Sequence, residues 1–347
     1  MSTQNFGEGC HLHLIDGSAF IFRAYHALPP LTRKSDGLPV GAVSGFCNML
    51  YRYLGGLSGS DAPTHVAVIF DYSGKSFRNQ IYDKYKANRP PAPEDLVPQF
   101  PLTRDATRAF NIACYEVEGF EADDIIATLA KQVRDSEGRC TIISSDKDLM
   151  QLVGDGVQML DPMKNRIIDT DGVREKFGVA PDRVVDVQAL AGDSVDNVPG
   201  APGIGIKTAA LLINEYGDLD SLLERAGEIK QPKRRESLID NADLIRISRD
   251  LVQLDEEMAL DFTLNDLEVK PADPEALLGF LGEMEFRTMS KRVADALGVE
   301  APVVAETEAA ANPVETVPID PDKYECVSDV AALQKWVDHI RAIDMAC

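Results

Sequence analysis

The sequence predicts an α/β domain with a mostly parallel central sheet flanked by helices, followed by a helical subdomain. Three observations predict it. Short continuous apolar runs stand at 12–15, 65–70, 140–143 and 157–160, with the length and composition of buried strands. Between them, segments 43–54, 98–110 and 122–133 carry apolar residues at helical spacing, and strands alternating with helices indicate a parallel sheet. Beyond about residue 181 the β signal fades, and 184–190, 206–216, 219–226, 232–241 and 242–250 read as short helices.

These readings set the expected organisation. The α/β core is expected over 10–180 and the helical subdomain over 181–297, with two further helical stretches in 275–297. Residues 298–322 are rich in Ala, Val and Pro, and 299–322 hold six acids and no Lys or Arg, the composition of a flexible linker. Residues 323–347 read as one strand (324–327) and one capped helix (328–340). That is too little for a core, so this stretch is expected to be the truncated opening of a further domain.

Composition narrows the class. A chain of 347 residues suggests two domains, and 44% hydrophobic with 27% charged residues excludes global disorder. No apolar run approaches the roughly 18 residues that span a bilayer, and residues 1–14 lack the pattern of a secretory signal. The six cysteines are scattered without a C-x-x-C pair, which argues against zinc or a disulfide framework and fits a reducing cytoplasm. The net charge of −22 should repel nucleic acid, so any nucleic-acid reading must locate concentrated positive charge and a use for the acids.

The acids cluster. Three strand-like runs lead into Asp16, Asp71 and Asp146, and ligands of open α/β sheets bind at the carboxyl ends of strands. Asp148 follows Asp146. Glu121, Asp123 and Asp124 stand in G-F-E-A-D-D, where the helix over 122–133 begins and the helix dipole favours carboxylates. Asp193 and Asp196 lie in G-D-S-V-D-N-V-P-G, a turn-rich loop opening the helical subdomain. Taken singly, each reads better as a turn former or N-cap than as a ligand. Together they form several clusters on one sheet edge, nearly free of bases, and gathered carboxylates need a cation to stay ionised. Oxygen-only ligands select Mg²⁺ or Mn²⁺, and nine carboxylates suit two ions roughly 4 Å apart, an arrangement for phosphodiester hydrolysis.

Positive charge concentrates in 75–89, K-S-F-R-N-Q-I-Y-D-K-Y-K-A-N-R, with five bases, one acid and three interleaved aromatics. Bases can neutralise phosphates and aromatics can stack on bases of a single strand; a solvated amphipathic helix is the competing reading. Residues 203–209, G-I-G-I-K-T-A, fit neither a P-loop nor a dinucleotide fingerprint. They read as a hairpin between helices. Its backbone could approach a phosphate at the N-terminus of the helix that follows, or form only a tight turn.

The stretches L-I-D-G at 14–17, R-A-Y-H-A at 23–27, F-D at 70–71, Y-K-A-N-R at 85–89, E-A-D-D at 121–124, S-S-D-K-D at 144–148, G-D-S-V-D-N-V-P-G at 192–200 and G-I-G-I-K-T-A at 203–209 resemble, in order, those of the 5′-nuclease (flap endonuclease) family. Within it, the chain is similar to the N-terminal 5′-to-3′ exonuclease domains of bacterial DNA polymerase I. The resemblance spans about 10–295. It implies a PIN/resolvase-like core, a helical arch and a helix-hairpin-helix. It implies a structure-specific nuclease acting near 5′ ends of DNA or RNA–DNA junctions, on a 5′ flap, nick or RNA primer, in primer removal and repair. By the family pattern, Asp16, Asp71, Glu121, Asp123 and Asp124 hold one metal, and Asp146, Asp148, Asp193 and Asp196 the second. Lys86, Arg89 and Arg23 are the implied catalytic bases. Arg78, Lys84, Tyr85, Gly203, Gly205, Lys207 and Thr208 are implied DNA contacts, with K⁺ at the hairpin. A cytoplasmic monomer without a membrane partner is expected, and no polymerase or proofreading activity. Two rivals fit part of the pattern: a two-metal phosphatase or PIN-like RNase, and a non-catalytic binder of DNA structures.

Overall fold

The computed structural model describes residues 5–56, 62–300, 327 and 329–343. The chain divides into a large unit, Met1–Val304, and a small one, Ala305–Cys347. In chain order the large unit begins with β1 (His11–Asp16), α1 (Gly17–Ala27), α2 (Gly41–Gly55), β2 (His65–Ile69), α3 (Arg78–Ile81) and α4 (Gln99–Ala109). It continues through β3 (Ala113–Tyr115), α5 (Ala122–Asp135), β4 (Arg139–Ile143), β5 (Val157–Asp161), β6 (Arg166–Ile168) and α6 (Thr170–Phe177). Helices α7 (Val184–Ala191), α8 (Ile206–Tyr216), α9 (Leu219–Glu224), α10 (Pro232–Asp240), α11 (Ala242–Val252), α12 (Pro274–Glu283) and α13 (Arg287–Leu297) follow.

The six strands order as β3-β2-β1-β4-β5-β6, all parallel except β6, which runs antiparallel to β5. The chain moves outward from β1 through β2 to β3, then returns to place β4 on the other side of β1. The direction of winding therefore reverses between β1 and β4, where open α/β sheets form a crevice beyond the strand ends. Asp16 ends β1 and Asp146 follows β4, so both border that crevice. Neither β3 nor β6 stands out in the sequence, because three residues carry too little pattern to separate a strand from a loop.

Alternation along β1 explains the two faces. Leu12 and Leu14 enter a core formed with α5 and the helices of the second half, including Leu190, Leu212 and Leu251. Ile15, with Val68 and Phe70, enters a second core with α1, α2, α4, α12 and α13. A sheet covered on both faces needs near-continuous apolar strands, as these are. The subdomain after residue 180 shares the first core with the sheet, so no break in packing marks the boundary expected there.

The motif L-I-D-G has a local cause. Asp16 caps α1 by accepting from the Ala19 N–H at 2.9 Å. Gly17 opens α1 against the Phe70 ring; a Cβ there would lie 2.4 Å from Phe70 Cε1 and 2.9 Å from the Ile69 carbonyl oxygen. Only glycine lets the helix start this close to β2, and that closeness holds Asp16 at the sheet edge.

In the small unit, α14 (Val330–Ile343) is capped by Asp329, whose carboxylate accepts from the Ala332 N–H. The expected strand at 324–327, apart from Val327, and most of the expected linker lie outside the described residues.

Candidate active site

A cleft of about 520 Å³ opens beyond the carboxyl ends of β1, β2 and β4. Asp16, Asp71, Glu121, Asp123, Asp146, Asp148, Asp193 and Asp196 line it, together with Lys86, Arg89 and Lys147. Five separate segments contribute the acids. Asp16 and Asp71 come from strand ends, Glu121 and Asp123 from the start of α5, and Asp146 and Asp148 from the turn after β4. Asp193 and Asp196 come from the loop after α7. That loop is pinched shut by reciprocal backbone bonds between Asp193 and Val198, at 2.9 and 2.7 Å. Gly192 and Gly200 have φ of +68° and +64°, and a Cβ on Gly200 would lie 2.4 Å from the Gly192 nitrogen. Both ends of G-D-S-V-D-N-V-P-G are therefore glycine for a steric reason.

The acids differ in what they bond. Asp16 accepts from the Ser144 hydroxyl at 2.8 Å, and Asp71 from the Ser18 hydroxyl at 2.6 Å and the Ala122 N–H at 2.9 Å. Glu121 accepts from Lys86 Nζ at 2.9 Å, the Ser76 hydroxyl at 2.9 Å and the Tyr85 hydroxyl at 3.2 Å. Asp196 pairs with Arg89, Asp193 with Lys147, and Asp148 accepts from the Gln188 amide. Among the described residues, Asp123 has no hydrogen bond or ion pair, and no three His, Cys, Asp or Glu side chains converge as a ready-made metal cage. Unneutralised carboxylates repel one another and turn to the donors within reach.

The charge balance shows in the acidities. Burial raises Asp16 to about 6, Asp71 and Asp146 add to the rise, and the Ala19 N–H and Ser144 hydroxyl oppose it. Burial and Asp146 raise Asp148 to about 7. Burial, then Asp146, Asp16 and Asp71, push Asp123 well above the usual carboxylate range. Burial acts against Glu121 as well, but Lys86 and Arg78 outweigh it and hold Glu121 low. Asp193 is likewise held low against burial, by Lys147 and the Val195 N–H. The donor set consists of oxygens only and contains acids that resist ionisation together, which suits a hard divalent cation.

Of the expected site residues, Asp124 and Arg23 do not line the cleft, while Arg78 and Tyr85 border it as buried side chains. Asp124 faces away from the cleft. It is wholly buried, forms two 2.7 Å bonds to Arg78, and accepts from the Glu121 and Asp255 N–H groups, so no oxygen remains for a metal. Arg78 borders the cleft but is 1% exposed, and it also donates to the Leu251 and Gln253 carbonyls, so its guanidinium is already engaged by protein groups. Tyr85 also borders the cleft, buried to 6% exposure with its hydroxyl on Glu121. Arg23 sits half-buried on α1 and does not line the cleft, although its neighbour Phe22 does.

Segment 75–89 also differs from a continuous helical arch. It contains the four-residue helix α3 and then a series of turns. Lys86 has φ of +55°, which ends any helix, and its N–H donates to the Asp196 carbonyl at 2.9 Å. Lys84 is exposed, and its carbonyl accepts from the Asn197 side chain. The segment is therefore stitched to the loop carrying Asp193 and Asp196.

The hairpin stands apart from the cleft lining. Gly203 has φ of +78°, Gly205 caps α8, Lys207 is exposed, and the Thr208 N–H donates to the Gly205 carbonyl. Reading the sequence overlooks Lys147, Gln188, Ser18 and Ser144 as site groups. The position of Lys147 between two candidate acids in S-S-D-K-D was the available signal; nothing local marks the others.

Residues 11–178 match the family model for the 5′-3′ exonuclease N-terminal resolvase-like domain, and residues 179–275 that for the 5′-3′ exonuclease C-terminal SAM fold. The chain is 59% identical over 300 residues to DNA polymerase I of Rhizobium leguminosarum, covering 86% of this chain and 30% of that protein. It is 36% identical over 282 residues to a 5′-3′ exonuclease of Aquifex aeolicus, covering 81% of this chain and 94% of that protein. The chain thus spans about a third of the polymerase relatives and nearly the whole of the Aquifex protein. T5 5′-exonuclease with bound divalent metal ions (zinc) superposes with a TM-score of 0.59 at 20% identity, over 83% of this chain and 99% of that one. The catalytic core of Rad2 in complex with DNA substrate superposes at 0.55 and 15%, over 86% and 95%. At those identities the structural likeness shows the shared fold.

Proposed function

The chain belongs to the 5′-3′ exonuclease family, and from that premise we propose that it is a divalent-cation-dependent, structure-specific 5′ nuclease. Its substrate is DNA, or an RNA–DNA junction, with a 5′ flap, nick or RNA primer, and it acts in primer removal and repair in the cytoplasm as a monomer. The observation that carries this reading is the gathering of eight carboxylates from five segments into one cleft that also holds Lys86 and Arg89.

Asp16, Asp71, Glu121 and Asp123 would hold one cation, and Asp146, Asp148, Asp193 and Asp196 a second. Mg²⁺ or Mn²⁺ suits these oxygens and supplies charge stabilisation and water activation for phosphodiester hydrolysis. The remaining steps belong to the protein. Lys86 and Arg89 stand on the cleft and can exchange their carboxylate partners for a substrate phosphate. Ser18 and Ser144 fix the rotamers of Asp71 and Asp16. The hairpin at 203–209, with Lys207 and open backbone at Gly203, suits a duplex phosphate, with K⁺ as a neutralising ion. Among the described residues no helix is long and apolar enough to cross a membrane.

The test is cleavage of a 5′-labelled flap duplex with Mg²⁺ and with EDTA. Cleavage should require Mg²⁺, and Asp71→Asn or Asp123→Asn should abolish it while flap binding largely survives. Undiminished cleavage by both variants would refute the assignment.

A further inference from the structure

Two halves of the cleft are neutralised differently. Asp16 and Asp71 bond only hydroxyl and backbone donors, and Asp123 bonds nothing among the described residues. Glu121 beside them is paired with Lys86, and in the other half Arg89 holds Asp196 and a further ammonium stands on Asp193. Lys147 Nζ is ion-paired with Asp193 Oδ2, while Asp193 Oδ1 accepts from the Val195 N–H at 2.7 Å and the Asp196 N–H at 3.4 Å. Every oxygen of Asp193 is therefore engaged, and only the bond to Lys147 can be given up without opening the loop. The backbone that carries Lys147 is fixed, while its side chain is free to change partner. The residue lies between Asp146 and Asp148 in a turn closed by the Asp148 N–H on Asp146 Oδ1 at 2.9 Å and the Asp146 N–H on Ser144 Oγ at 3.0 Å. Its side chain is 36% exposed, so it also faces the open cleft, where an anion can reach it.

Resting on the nuclease reading, we infer that Lys147 is a resident counter-ion of the Asp146, Asp148, Asp193 and Asp196 half, competing there with a divalent cation. A lysine ammonium is a compact point charge, and it repels a second cation placed among the same carboxylates. Among the described residues, Asp16, Asp71 and Asp123 meet no cationic side chain, so their half offers three carboxylates free of such competition, with only Glu121 held by Lys86. The other half loads fully once Lys147 is drawn onto an anion, and a backbone phosphate entering the cleft is that anion. Lys147 thereby couples cation occupancy to substrate occupancy, a reciprocal linkage between the two ligands.

Calorimetric titration with Mn²⁺, without DNA, tests this on the full chain. Wild type should show a tighter and a weaker site. Lys147→Met should tighten the weaker site by roughly threefold to tenfold, as expected for release of a part-exposed ion pair, and leave the tighter one unchanged. Lys147→Arg, which keeps the charge, and Lys131→Met, which removes a remote surface charge, should both match wild type. An unchanged weaker site in Lys147→Met, or equal tightening in Lys131→Met, would overturn the inference. No Mn²⁺ binding by wild type at all would instead overturn the nuclease reading and the inference with it. A second measurement uses only wild type: Mn²⁺ should accelerate amine acetylation at Lys147, read by mass spectrometry, and not at Lys131. Equal rates with and without Mn²⁺ would count against displacement.

Discussion

At the scale of single residues, the cleft sorts its acids by their partners. Asp123 and Asp124 are adjacent, yet one faces the cleft without a donor and the other is locked to Arg78. Removing one member of a fully buried pair strands the other charge, so Arg78→Ala or Asp124→Ala should cost about 3–5 kcal/mol in urea unfolding. Asp123→Asn should cost nothing measurable, or stabilise the metal-free protein, because it removes a repelled carboxylate. Equal losses at the two positions would contradict this division. Gly17→Ala should destabilise by roughly 1–3 kcal/mol through overpacking against Phe70, and should impair activity by displacing Asp16. His13 tests the buried histidines. Burial, helped by His11 and Arg139, lowers it to about 3. As pH falls below about 6.5 the unfolded chain binds a proton that the folded chain refuses, so stability is lost through that window. Asp16 and Asp148 act in the opposite direction, so the comparison must be between wild type and His13→Gln. From pH 6.5 to 5, wild type should lose more stability than the variant in urea titrations.

At the scale of elements, legibility follows periodicity. The four longer strands and most helices are readable because their apolar spacing matches their burial. The candidate acids are readable because they stand at strand ends, at a helix start or in a turn-rich loop. Which of Asp123 and Asp124 faces the cleft is not readable: consecutive helical residues point about 100° apart, and the partner that decides the matter, Arg78, lies far away in sequence. Segment 75–89 misleads for a related reason. Its bases and aromatics have the composition of an exposed amphipathic helix, but Lys86 adopts a left-handed backbone conformation and Tyr85 turns inward to Glu121. Long-range tethers from Asp196 and Asn197 override local propensity. Asn197→Ala should therefore loosen this segment, seen as faster amide exchange over 84–89 with little change in the exchange of the β1 amides. Unchanged exchange over 84–89 would remove the tether from the account.

For the whole molecule, the charge of −22 and the nuclease fold are compatible because the acids are segregated. Setting aside the nine candidate acids and the six in 299–322 leaves −7. A cleft of mutually repelling carboxylates destabilises the metal-free fold, so a cation that binds only the folded chain should raise the melting temperature with its concentration. Mg²⁺ should do so, EDTA should reverse it, and Asp123→Asn should blunt it. A melting temperature indifferent to Mg²⁺ would mean that the cleft tolerates its charge unaided.

The most direct test of the central claim is to locate the cation. Crystals soaked in Mn²⁺ and measured for anomalous scattering should show a peak bounded by the carboxylates of Asp16, Asp71 and Asp123, with Asp124 still on Arg78. A clear map with no peak in that cleft, or with Asp124 turned to hold the ion, would contradict the account.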